Sequence, residues 1–167
     1  DMNSNRAYFG DAGSPSGALA AGGYDTGGVG LAETYNGTAW TEVNDLNTAR
    51  YHNAGGGTET SAVVFGGQPS PGINESWDGS SWTEVGDLNS GRTYMTGTGT
   101  SNTSAIAYGG GTPTVLGNTE IWNGSTWTEV NDLNTARYSL AGAGTQTAAL
   151  GFGGFVPPST AVTESWN

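Results

Sequence analysis

The sequence predicts an all-β fold assembled from repeated four-stranded antiparallel sheets, and three observations carry that prediction. The segment Trp40-Thr41-Glu42-Val43 recurs at Trp82-Thr83-Glu84-Val85 and Trp127-Thr128-Glu129-Val130, at spacings of 42 and 45 residues. Apolar runs close on glycine pairs at Gly22-Gly23, Gly66-Gly67, Gly109-Gly110 and Gly153-Gly154. No segment of ten residues carries an apolar stripe of helical period, so helix is essentially absent from the expected fold.

Each unit opens on an Asp-x-Asn-x-x-Arg turn, found at Asp1 to Arg6, Asp45 to Arg50, Asp87 to Arg92 and Asp132 to Arg137. The first strand follows the Arg and is small and polar, as in Tyr51 to Gly57. The second is the most apolar, as in Ala62-Val63-Val64-Phe65. The third joins an acid to an aromatic two residues on: Glu33/Tyr35, Glu75/Trp77, Glu120/Trp122 and Glu164/Trp166. Asn36-Gly37, Asp78-Gly79 and Asn123-Gly124 then supply the positive φ of a tight hairpin into the fourth strand, Trp-Thr-Glu-Val. There, alternation places Trp and Glu on one face and Thr and Val on the other, so both faces are partly covered.

A period of 42 to 45 residues, one four-stranded meander per period, is the arithmetic of a β-propeller. One such sheet cannot hide both faces, whereas blades stacked around an axis bury each face on a neighbour. The first strands, rich in Gly, Ala and Thr, then fit the crowded axis. The order of Arg, apolar strand with a Gly pair, Glu-x-aromatic, turn and Trp resembles the kelch repeat over the whole chain. The near-identity of the units is also similar to repetitive propellers of bacterial surface and phage-associated proteins. The resemblance implies a propeller domain over residues 1–167, with units of about 1–43, 44–85, 86–130 and 131–167. The last unit is expected to lack its outermost strand. Three arrangements stay open: a four-bladed ring with a short last blade, a ring of about eight blades built from two chains, or part of a longer repeat protein. The unpaired edge of the last unit is a candidate for self-association or a protein partner.

Composition narrows function. Thirty Gly, 15 acidic and 4 basic residues give 167 residues a formal charge of −11, which opposes nucleic acid and anionic membranes. No apolar run approaches the roughly 20 residues of a membrane helix. Without Cys there is no thiolate nucleophile or Cys-ligated metal. The copper-radical oxidases among kelch-like propellers need a Cys-linked Tyr and several His, and this chain has one His, His52, read as incidental near the inner strand. Asp-Leu-Asn offers too few ligands for calcium, so neither metal nor cofactor is expected. The acids found in only one unit, Asp11, Asp25 and Glu59, fall in loop-like sequence, and no catalytic residue is assigned.

All four basic residues, Arg6, Arg50, Arg92 and Arg137, hold one repeat position, which points to a structural ion pair with Glu33, Glu75, Glu120 and Glu164. Trp40, Trp82 and Trp127 are read as inter-blade packing, with stacking on sugar rings as the other reading. The links between second and third strands vary while the scaffold repeats. They emerge beside the Asp-x-Asn-x-x-Arg turns and offer Tyr24, Ile73, Leu116, Phe155 and Val156 as a candidate binding face. These readings converge on a non-catalytic structural or adhesive protein-interaction module, extracellular or virion-associated, with a cytoplasmic location left open. The alternative is a lectin-like propeller that binds glycans.

Overall fold

The computed structural model describes the 167-residue chain except Thr112 and Pro157, so those two positions of the third and fourth variable links lie outside the described residues. The first sheet runs β1 (Gly10–Ser14), β2 (Gly17–Ala21), β3 (Ala32–Tyr35) and β4 (Trp40–Val43). The second holds β5 (Ala54–Thr58), β6 (Ser61–Phe65), β7 (Asn74–Trp77) and β8 (Trp82–Val85). The third holds β9 (Thr96–Ser101), β10 (Ser104–Tyr108), β11 (Thr119–Trp122) and β12 (Trp127–Val130), and the fourth β13 (Ala141–Thr145), β14 (Ala148–Phe152) and β15 (Thr163–Trp166). Every sheet is an antiparallel meander in chain order, and among the described residues the fourth has three strands. The protein is a four-bladed β-propeller with a short last blade. Among the described residues no helix is long and apolar enough to cross a membrane.

Each first strand begins later than its sequence suggests. Residues Tyr51 to Asn53 were expected inside a strand, but β5 starts at Ala54 because His52 takes φ 55°. Tyr8, Tyr94 and Ser139 occupy the same place in their units at φ 61°, 56° and 52°. This left-handed residue breaks the extended run and turns the chain from the rim into the inner strand. The Asn-Gly and Asp-Gly turns are four-residue loops; Asn36 Oδ1 accepts the N–H groups of Thr38 and Ala39 while Gly37 takes φ 91°.

The inner strands β1, β5, β9 and β13 pack successively side by side. Glycine permits that approach: a Cβ on Gly55 would stand 2.5 Å from the carbonyl oxygen of Asp11, and one on Gly56 2.7 Å from the Thr98 carbonyl carbon. No comparably close packing joins β13 back to β1 among the described residues.

The apolar core lies between blades. Alternation along β6 sends Ala62 and Val64 toward the first blade, where, with Leu46, Trp77 and Trp82 of their own blade, they meet Leu19 and Ala21. It sends Val63 and Phe65 toward the third, onto Ala105, Ala107, Trp122 and Trp127. Trp82 and Val85 of one strand serve opposite junctions, as the alternation of Trp-Thr-Glu-Val requires. At the third junction Ile106 and Tyr108 meet Ala149, with Leu133 and Trp166 packed alongside. The second and third blades thus each offer a forward face with a larger aliphatic and an aromatic residue, Val63 and Phe65 or Ile106 and Tyr108, and a backward face with two Trp residues, Trp77 and Trp82 or Trp122 and Trp127.

Candidate functional site

The four Arg residues each enter their own blade and are completely buried, as are the carboxylates of Glu33, Glu75 and Glu120 to within 1 %. Arg50 Nη2 stands 3.1 Å from Glu75 and donates to the Val64 carbonyl, while Nη1 donates to Ile73. The opposite oxygen of Glu75 accepts from the backbone and side-chain N–H of Asn47, and Thr48 N–H donates to the first. The Asp-x-Asn-x-x-Arg turn is therefore a cradle folded around one buried carboxylate. Arg6 with Glu33, and Arg92 with Glu120, repeat it. Arg137 pairs with Glu164 at 3.0 Å, but that carboxylate is 11 % exposed, and among the described residues no fourth strand pairs with β15. In the first three pairs these side chains are consumed by one another, and only the Glu164 carboxylate meets solvent.

Burial pulls the Arg50 guanidinium down to about 10, against Glu75, Glu84 and Asp87, so it stays charged at neutral pH. Burial pushes the Glu33 carboxyl up, but hydrogen bonds from Asn3 and Arg6 and the charge of Arg6 outweigh it and hold it below its ordinary 4.5. A carboxylate depressed in the folded state contributes stability that is present above the unfolded value and lost as pH falls through the folded one. A carbon-detected NMR titration is expected to place the Glu33 midpoint below 4.5, with unfolding free energy falling across the same acid window. A midpoint at or above 4.5 contradicts this cradle.

The repeated Trp residues are buried between blades. Trp77, Trp82, Trp122 and Trp127 all lie in the core, and only Trp40 and Trp166, on the end blades, are half-exposed. The variable links do meet the Arg turns: Gly23 and Gly67 N–H donate to the carbonyls of Arg50 and Arg92, and Gly110 to that of Arg137. Of the candidate face residues, Tyr24 is exposed, and Ile73, Leu116, Phe155 and Val156 are half-buried.

That rim carries an aromatic belt. Tyr24 meets Tyr51 edge-on at 5.0 Å, Tyr51 lies 5.1 Å from His52, and His52 stands between Tyr8 at 4.2 Å and Tyr94 at 4.0 Å. Tyr94 continues to Tyr138 at 6.0 Å and Tyr138 to Phe155 at 5.3 Å. No family model matches the chain, and no curated protein matches it. The belt is thus defined by geometry alone. At its centre Tyr8, His52, Tyr94 and Ser139 surround a cleft of about 160 Å³ with Phe9, Asn53 and Met95 below. Tyr8 is 58 % exposed, and burial lowers the His52 pKa, which favours the neutral imidazole at pH 7. Such a surface stacks on flat groups and offers hydroxyls at its margin.

Sequence reasoning missed Tyr8 and Tyr94 and set His52 aside, although a signal was present: an aromatic stands two residues after Arg in three units. The inner strands enclose an axial channel of about 290 Å³ lined by Gly, Ala and Thr98, with Asp11 its one acidic lining residue. Among the described residues no group of three or more His, Asp or Glu is placed to hold a metal ion.

Proposed function

We propose that the chain is a non-catalytic interaction module of kelch-like type, which binds a protein partner through its aromatic rim in an extracellular or virion assembly. The carrying observation is the belt from Tyr24 to Phe155. It gathers rings from every unit on the end where the links vary, while the carboxylates beneath are locked into ion pairs. Rims enriched in Tyr suit recognition because each ring gives contact area at low entropic cost. A glycan is the second reading, favoured by the open face of Tyr8 beside His52 rather than by the buried Trp residues.

Selection from a displayed peptide library, run beside a glycan array, tests both. Peptides enriched on the wild-type chain are expected to lose at least tenfold in affinity to the Tyr8→Ser/Tyr24→Ser variant, whose circular dichroism and melting stay unchanged. Glycans captured instead, with the same loss, replace the protein reading by the second. Binding indifferent to the belt removes the rim from function.

A further inference from the structure

We propose that the 167-residue chain associates head to tail with a second copy of itself, the forward face of its fourth blade receiving the backward face of the partner's first blade. The three internal junctions define what such a contact requires. On the forward side, Leu19, Val63 and Ile106 are at most 1 % exposed, and Phe65 and Tyr108 at most 3 %. Their counterparts on β14, Leu150 and Phe152, are 44 % and 40 % exposed. On the backward side, Ala62, Ala105 and Ala149 are buried with Trp77, Trp82, Trp122 and Trp127; of their counterparts on the first blade Ala18, Tyr35 and Trp40 are half-buried, while Ala20, in the place of Val64 and Ala107, is 1 % exposed. Met2, in the place that Leu46 and Leu88 hold in the core, lines an open groove with Phe9, Ala18 and Trp40. Each end of the blade series therefore exposes one half of an interface that the chain itself forms three times. The missing half stands at the opposite end.

A second, polar feature stops at the same two places. Around the axis, Ser139 N–H donates to Tyr94 C=O, Tyr94 N–H to His52 C=O and His52 N–H to Tyr8 C=O, at 2.7, 3.2 and 2.8 Å. Among the described residues this ladder ends on the Tyr8 N–H and the Ser139 C=O, a donor and an acceptor in the register that one more blade would join. A second copy supplies both the apolar and the polar complement in a single placement. Because the contact is heterologous, it closes into a ring or extends as a series, and two copies suffice for closure if their curvature matches. This contact is independent of rim recognition.

Light scattering and native mass spectrometry of the 167-residue chain at about 0.15 M salt, where charges are screened beyond about 8 Å, read the outcome. A mass of two or more chains is expected, falling to one chain in Phe152→Glu and in Ala18→Glu. Each of these variants blocks one face only, so mixing them restores a two-chain species through the intact pair, whereas neither dimerises alone. The Tyr24→Ser/Tyr94→Ser variant changes rim residues away from both end faces; persistence of its assembly with lost partner binding separates the two readings. A wild-type monomer at about 0.1 mM overturns the proposal, and so does an assembly that survives both face variants. Circular dichroism of each variant confirms that a lost assembly is not a lost fold.

Discussion

Replacing Glu120 by Ala is expected to cost about 3–5 kcal/mol of unfolding free energy, the range for removing one partner of a buried ion pair. Arg92 is fully enclosed and would be left with only the Ser90 and Ala107 carbonyls as hydrogen-bond partners. The loss extends beyond the pair, because Glu120 also accepts the backbone and side-chain N–H of Asn89 and the N–H of Ser90, at 2.7, 3.0 and 3.2 Å. Those donors hold the turn that enters the blade, so its closure fails with the carboxylate. Glu164→Ala is expected to cost clearly less, since its carboxylate already meets water. Urea midpoints for the two variants at neutral pH decide the matter. Equal midpoints would show that the cradle is not a buried ion pair in solution.

The cradle and the blades were legible because they repeat. Four copies of Arg at one position, and of Glu-x-aromatic at another, identify a pair without any coordinates, and period-two alternation assigns Trp82 and Val85 to opposite junctions. The belt was harder to read because Tyr8, His52, Tyr94 and Tyr138 stand 42 to 44 residues apart in sequence and meet only around the axis. His52 in particular looks incidental until a left-handed backbone places it between Tyr8 and Tyr94. Three arrangements of blades also stayed open, since curvature depends on how inner strands seat against one another. Gly55 and Gly56 permit a close approach without fixing how many blades complete a turn. Exposure of Leu150 and Phe152 against the burial of Val63 and Phe65 is what separates the end blades from the middle ones.

That difference between identical residues gives the second large effect. Trp127→Ala is expected to cost about 3–5 kcal/mol, as large buried aromatics do when a cavity is left behind. Trp127 is wedged between Trp122 and the edge of Phe65, 4.9 Å away, and closes the junction of the second and third blades. Trp40 opens the same Trp-Thr-Glu-Val strand and meets a cross-strand aromatic, Tyr35 at 5.3 Å, but among the described residues no blade packs on its other side. Its replacement by Ala removes less buried area and is expected to cost about 1 kcal/mol in a dilute, monomeric sample. Partner association stabilises the folded state by mass action, so the Trp40→Ala penalty is expected to grow with protein concentration while that of Trp127→Ala stays constant. Denaturation of both variants at about 1 µM and 100 µM reads this directly. A Trp40 penalty already as large as that of Trp127 at the lower concentration would mean that the first blade's backward face is covered within the single chain, and the head-to-tail association would fall with it.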